Sequence, residues 1–552
     1  MKLAKLYTPQ HRLIMLVALF LMATANLSFL HRLLDDYPAG LQHILFTGSV
    51  AALFTLATMW LLMLFCFGRG TRWVLALVLV LASVLAYFMD HYGVVVDQVM
   101  LVNLLQTDWR EASDLYSLKL LTHVAITGLL PAWLLLRKPV HIERFKTEAI
   151  SRLFSLATVS LLILACVLPF TASYASFARE HKEVRYYVNP GYFAYSVIKL
   201  ASTSMESAKS ATLTRTASDA RHVGTHDKHE LIIMVVGETA RADHFALNGY
   251  PRNTNPRLIK QQVVSLKRVS SCGTSTAISV PCMFSALSRA GFQSGEQAAR
   301  HENVLDVLKR TGVDVLWRDN NSDSKGVATR VKYEDFRHAN TNPVCDPECR
   351  DIGMLAGLPA HIEQHQDQDM LIVLHQMGSH GPAYYKRYPA DFEQFKPACQ
   401  SSNLADCSSE EIVNAYDNTL LYTDYFLAEV IDLLKQYDGR FETAMLYVSD
   451  HGESLGEHGV YLHGAPYLFA PTAQTHVPAV VWMGSSFDYS SSQFKPLENI
   501  ALSHDDLTCS LLIGYEIDSS LCRDRLAVFS QYLNRYTAMA LTGTSSKAVQ
   551  QQ

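Results

Sequence analysis

Two stretches, Leu231-Ile-Ile-Met-Val-Val-Gly-Glu238 and Ala444-Met-Leu-Tyr-Val-Ser-Asp-His-Gly-Glu453, decide how the second part of this chain is read. Each is a short apolar run that ends at a small residue, Gly237 or Ser449, and reads as a buried strand. Each ends in side chains that carry chemistry. Val313–Trp317, Leu371–Leu374 and Ala479–Trp482 are further strands of the same kind, with longer helical stretches such as Glu410–Tyr437 between them. That alternation predicts an α/β sandwich around a mostly parallel sheet. In such sheets function gathers just beyond the carboxyl ends of the strands.

The first third has a different composition. The whole chain of 552 residues is 49% hydrophobic and 18% charged, with a net charge of −5. Residues 1–172 carry 13 Lys+Arg against 9 Asp+Glu, and the remainder 34 against 43. No large basic field is left to neutralise phosphates, so a nucleic-acid binder is excluded. Leu13–Leu30, His43–Gly68, Trp73–Met89, Leu120–Leu136 and Leu153–Ala178 are apolar runs of 17 to 26 residues without one Asp, Glu, Lys or Arg. About 20 helical residues cross a bilayer core, and backbone in lipid must bond within its own segment. Five membrane-spanning helices are therefore expected. Ala23-Thr24-Ala25 resembles a cleavage box, but it lies inside the first run and four more runs follow, so that run is read as a permanent helix.

Short-loop charges orient the chain. The N-terminus, second and fourth loops hold ten Lys/Arg, and the first and third hold Arg32, Arg110 and Lys119. The N-terminus is then cytoplasmic, and five spans place everything after Ala178 outside. Cysteine usage agrees. Cys66 and Cys166 sit within apolar runs, whereas the other eight lie in the outer part as close pairs 10, 4, 8 and 13 positions apart. Local bridges in an oxidising compartment are expected, with Cys509 and Cys522 one such pair. The domains read as 1–178, a five-span bundle; 179–229, a connector whose aromatic stretch Tyr192–Leu200 suits an interfacial amphipathic helix; and 230–552, the α/β domain.

An acid after a strand is more often a cap than a ligand. Two such ends in one sheet, one of them Asp450-His451-Gly452, favour a metal platform of oxygen and imidazole ligands suited to zinc. Ser271-Cys-Gly-Thr-Ser-Thr-Ala277 is a small-residue turn leading into a helix expected over Thr276–Leu287, interrupted by Pro281. A hydroxyl at such a helix start gains from the dipole, and a nearby metal would activate it further. Spacing alone leaves Ser275 and Thr276 both open. His380, in Met377-Gly-Ser-His-Gly-Pro, and His463, in Tyr461-Leu-His-Gly, are candidates for proton transfer, second-metal ligation or phosphate contact.

Val236-Gly-Glu-Thr-Ala-Arg-Ala-Asp, Ser271-Cys-Gly-Thr-Ser-Thr-Ala, Ser279-Val-Pro-Cys-Met-Phe-Ser, Met377-Gly-Ser-His-Gly-Pro and Ser449-Asp-His-Gly-Glu-Ser-Leu-Gly-Glu, in that order, resemble the lipid A phosphoethanolamine transferases. That family includes the chromosomal lipid A enzymes and the mobile colistin-resistance enzymes. The resemblance spans essentially the whole chain and implies an alkaline-phosphatase/sulfatase-like outer domain. It implies one zinc held by Glu238, Thr276, Asp450 and His451, with Thr276 as nucleophile. It places substrate contacts and a second, weaker zinc around Asn321, Lys325, His380 and His463. Asn103 and Glu111 fall in a segment that meets the lipid headgroup. Cys272 and Cys282 match a disulfide clamping the nucleophile turn, and Cys345/Cys349 and Cys399/Cys407 resemble two others, the first with altered spacing.

The implied reaction transfers phosphoethanolamine from phosphatidylethanolamine to a lipid A phosphate through a phosphoethanolamine–threonine intermediate, conferring polymyxin resistance. A monomer in the bacterial inner membrane, with its catalytic domain in the periplasm, is expected. The runner-up is a transferase acting on Kdo, heptose or periplasmic glucan. A sulfatase needs Cys or Ser followed two and four positions on by Pro and Arg, and Ser279-Val-Pro-Cys-Met lacks the arginine. Lipoteichoic acid synthase does not share the cysteines or these motifs. A non-catalytic sensor would not retain every ligand.

Overall fold

Long apolar segments with no charge to hydrate close their hydrogen bonds internally, and they do so here as helices. The computed structural model describes residues 9–37, 40–107, 109–137, 145–181, 183–207, 213–224, 228–487 and 490–523. Residues group into one unit of 1–101, 116–202 and 458–460, and a second of 102–115, 203–457 and 461–552. Lys2, Lys5, Lys138 and Arg144 of the charge argument lie outside the described residues.

In the first unit, His43–Phe65, Gly68–Tyr92, Leu118–Arg137 and Lys146–Phe170 are long and apolar enough to cross a membrane. The first run behaves differently. Instead of one helix over Leu13–Leu30, it forms Gln10–Ala25 and Leu27–Asp36, bent by 67°. Asn26 explains the break. Its amide donates to the Leu21 carbonyl at 2.9 Å and the Asn189 carbonyl at 2.8 Å, and Asn189 Nδ2 donates to Ala25 O at 3.1 Å. Side-chain amides thus take up carbonyls that a continuing helix would have used. The aromatic stretch of the connector lies within a helix, Gly191–Ser207.

The second unit is built on eight strands: β1 (Glu230–Gly237), β2 (Val264–Ser270), β3 (Asp314–Asp319), β4 (Lys332–Asp335), β5 (Met370–His375), β6 (Glu442–Ser449), β7 (His476–Met483) and β8 (Leu502–Ser503). Their order across the sheet is β8-β2-β7-β6-β1-β5-β3-β4. Only β7 runs antiparallel to its neighbours. Every residue of β1 and β5 is buried, as expected for strands covered on both faces. β2 was not expected, because Lys267 and Arg268 interrupt its apolar pattern; the second of them faces solvent.

Pairing of Gly237 with Ser449 and of Val236 with His375 aligns the carboxyl ends of β1, β6 and β5 on one edge. β2 ends at the same edge and delivers the turn before α1 (Thr276–Met283). That helix stops four residues short of the expected Leu287, two residues past Pro281. α3 (Ser409–Tyr437) packs against β6 and β1, and α2 (Leu358–Gln364) precedes β5. α3 opens with a capping box in which Ser408 and Glu411 satisfy each other's backbone.

A candidate metal-assisted transfer site

Glu238 follows β1, and Asp450 and His451 follow β6, so adjacent parallel strands place three ligating side chains side by side. The next residue after each must leave the sheet sharply. Thr239 does so with φ +51°, a left-handed conformation unusual for a β-branched residue. Its N–H donates to Asp450 Oδ1 at 3.2 Å, and Tyr416 donates its hydroxyl to the Thr239 carbonyl at 2.7 Å. Gly452 turns where no side chain fits: a β-carbon there would stand 2.0 Å from the Ala473 carbonyl.

Between Ser275 and Thr276, the structure brings Thr276 to the ligands. Its Oγ1 lies 3.1 Å from Glu238 Oε2 and 3.4 Å from His451 Nε2. His451 Nε2 is 3.4 Å from Glu238 Oε1 and 3.3 Å from Asp450 Oδ2. All four residues are buried.

These distances suit zinc. Ligands about 2.0–2.1 Å from a tetrahedral ion stand about 3.3–3.4 Å from one another. Asp450 Oδ2 is buried with no hydrogen-bond partner. His451 Nδ1 is 2.9 Å from the Gly452 carbonyl. A carbonyl only accepts, so Nδ1 carries the proton and Nε2 turns its lone pair to the cage. Burial pushes the Asp450 carboxyl up and the His451 imidazole down. A bound cation reverses the first shift and favours the neutral imidazole.

Asn321, just past β3, is fully buried. Its amide donates to Glu238 Oε2 at 2.8 Å and to the Gln376 carbonyl at 2.7 Å. The His463 ring lies tilted at 4.4 Å from that of His451 and edge-on at 5.5 Å from that of His380, centre to centre. Burial, then the neighbouring His463, holds His380 well below the usual imidazole range. Lys325 Nζ reaches the carbonyls of Gln106 and Ser322, each at 3.4 Å. Asn103 lies on the helix Gln98–Gln106. Glu111 belongs to the helix Trp109–Asp114, and its side chain lies outside the described residues. The disulfides are Cys272–Cys282, Cys345–Cys349, Cys399–Cys407 and Cys509–Cys522. The first closes the loop that carries Thr276.

Several supporting residues had no role read from the sequence, although Glu453 lies within the Asp450-His-Gly-Glu motif. Glu453, fully buried, faces His463 Nδ1 at 3.4 Å. Asp351 accepts the N–H groups of Met377 and Gly378 at 2.9 and 3.2 Å and so shapes the loop before His380. His504 accepts from the Cys272 N–H and faces the Ser449 carbonyl, each at 3.0 Å, joining the loop before Thr276 to the end of β6. Arg387 donates to the His380 carbonyl at 2.7 Å and to Asp114 at 2.7 Å, and also pairs with Glu348. His504 and Arg387 act across more than two hundred residues, and Asp351 sits in an unremarkable context.

Residues 230–513 match the Sulfatase family model, and residues 54–205 match that of the phosphoethanolamine transferases EptA/EptB. The chain is 44% identical over 524 residues to phosphatidylethanolamine transferase Mcr-2 of Escherichia coli, covering 93% of this chain and 96% of the relative. It is 36% identical to phosphoethanolamine transferase EptA of Salmonella typhimurium, over 86% and 87% of the two chains. Among solved structures it is similar to the integral membrane lipooligosaccharide phosphoethanolamine transferase A of Neisseria meningitidis. There the TM-score is 0.89 at 31% identity, covering 93% of this chain and 97% of that one.

Proposed function

This chain belongs to the phosphoethanolamine transferase family, and from that premise we propose that it moves phosphoethanolamine from phosphatidylethanolamine to a phosphate of lipid A. The observation that carries the reading is the Thr276 hydroxyl, 3.1 Å from Glu238 and 3.4 Å from His451 in a buried cage. The 44% identity to a phosphatidylethanolamine transferase supports a lipid donor. It favours the lipid A phosphate over Kdo, heptose or glucan as acceptor. The modification of lipopolysaccharide would confer polymyxin resistance.

In the first step Thr276 Oγ1 bonds to phosphorus and the bond from phosphorus to the glycerol oxygen breaks. The hydroxyl proton points at Glu238 Oε2, and the departing diacylglycerol takes up a proton. In the second step a lipid A phosphate oxygen bonds to phosphorus and Thr276 leaves, regaining its proton. A zinc ion held by Glu238, Thr276, Asp450 and His451 would supply Lewis-acid stabilisation of the charge on the transferring group. His380 and His463 are the proposed proton carriers to the leaving oxygen, with Glu453 orienting His463. They are also the proposed ligands of a second, weaker zinc. Lys325 adds a positive charge, and Asn103 and Glu111 are proposed to meet the headgroup. Two lipids that bind in turn suit a covalent intermediate.

The apolar helices make this a membrane protein, which supports a location in the inner membrane with the catalytic domain in the periplasm; a monomer is part of the same proposal. The expected result for Thr276→Ala is loss of the phosphoethanolamine adduct from lipid A, read by mass spectrometry of cells with and without the variant. Adduct at the unmutated level would remove Thr276 from the reaction. Activity that survives complete chelation of zinc would remove the metal.

A further inference from the structure

The edge of the sheet where β3 begins, opposite the end that carries Glu238 and Asp450, holds another group of metal-ligating side chains. Asp314 is the first residue of β3, and His361 lies on α2 with His365 at its C-cap. A spacing of four puts both imidazoles on one face of the helix, with ring centres 4.2 Å apart. His361 Nε2 faces Asp314 Oδ2 at 3.1 Å. Both atoms are buried and face each other as an ion pair, off the line of a well-formed hydrogen bond. His361 is only 6% exposed, so its imidazole is aimed at Asp314 inside the fold and not at solvent.

His365 is prepared in a complementary way. Its Nδ1 stands 2.8 Å from the His361 carbonyl. Since that carbonyl only accepts, the ring proton is on Nδ1 and Nε2 keeps its lone pair, the arrangement that orients a ligating histidine. One ligand atom from each of Asp314, His361 and His365 lies within 4.8 Å of the other two. Two imidazoles and one carboxylate, with a water in the fourth position, form a donor set suited to zinc. Asp314 and His365 are half-buried, so an ion reaches the site from solvent. A neighbouring cluster is less open: Asp369 already meets His229 Nδ1 at 3.0 Å and the Glu230 N–H at 3.2 Å.

We propose that Asp314, His361 and His365 form a zinc-binding site, separate from the catalytic cage, that ties α2 to the start of β3. The ion joins two elements of the second unit at the sheet end remote from Thr276. Its role is structural, and transfer activity does not depend on it.

The test uses the purified full-length chain in detergent, stripped of metal, titrated with Zn²⁺ alone and counted by elemental mass spectrometry after gel filtration. The wild type is expected to retain one more Zn²⁺ per chain than His361→Ala/His365→Ala. Loading with Co²⁺ should give an additional tetrahedral visible absorption that the double variant lacks. His361 is buried and its loss can impair folding, so His365→Ala alone provides the second arm. It should bind the extra ion at least about tenfold more weakly while phosphoethanolamine transfer is unchanged. Equal zinc counts and affinities in the wild type and His365→Ala would mean an Asp314–His361 ion pair only and would overturn the site.

Discussion

Replacing Asn321 with alanine separates two accounts of that residue. The family resemblance implies a substrate contact, whereas the structure directs both donors of its amide inward, to Glu238 Oε2 at 2.8 Å and to Gln376 O at 2.7 Å. A hydrogen bond to an ionised carboxylate contributes about 1.5–3 kcal/mol. If that contribution is needed in the transition state, its loss corresponds to about a 10- to 150-fold fall in rate. Asn321 is fully buried, so the substitution also leaves the Gln376 carbonyl unpaired. Acting through Glu238, Asn321→Ala should lower kcat by that factor while KM for the donor lipid stays within about twofold. Zinc affinity should fall about 10- to 100-fold, as for other residues that orient a ligand. Asn321→Asp should be worse than alanine, because a carboxylate oxygen would then face Glu238 and one of the two must take up a proton. Initial rates over a range of a phosphatidylethanolamine analogue, with zinc content measured on the same samples, give all three quantities. A tenfold rise in KM with zinc content and kcat intact would refute the positioning role and restore the substrate contact.

Two further outcomes follow from buried charge. Burial holds His504 down at about 4, below the ordinary value near 6.5, so the unfolded chain binds the proton more readily. Its stabilising contribution is fully present above about pH 6.5 and is lost as pH falls towards 4; at pH 5 the loss is about 2 kcal/mol. Melting of the wild type beside the non-titrating His504→Asn should show their difference narrowing by that amount between pH 7.5 and pH 5, and a pH-independent difference would contradict it. Arg387→Met leaves Glu348 without its guanidinium and Asp114 with Lys386 alone. Breaking a buried ion pair on one side costs about 3–5 kcal/mol, and thermal melting should show it, with Arg387→Lys recovering part; a change under about 1 kcal/mol would mean the network is solvated.

Much of the fold was legible because its signals are local. Apolar runs long enough for a bilayer, and short runs ending in Gly-Glu or Ser-Asp-His, are each complete within ten to thirty residues. The break at Asn26 was not legible, since an asparagine ends a helix there only because Asn189, far along the chain, is present to share its amide groups. Strand β2 was hidden for another reason: adjacent Lys267 and Arg268 look like a loop until the strand is seen to pass from a buried start, Val264–Leu266, to an end where Arg268 and Ser270 are exposed.

The proposed catalytic cage divides the same way. The order of residues determined which side chains carry chemistry, because a carboxylate after a buried strand and an adjacent Asp-His are properties of short segments. Composition and span length likewise determined that one part lies in a membrane and another does not. Only the tertiary structure set the Thr276 hydroxyl, and not that of Ser275, beside Glu238 and His451, gave the Asn321 amide to Glu238, and brought His504 and Arg387 against the neighbouring loops. Those are distances of about 3 Å between residues tens to hundreds of positions apart, set by sheet register and packing, which no linear pattern encodes.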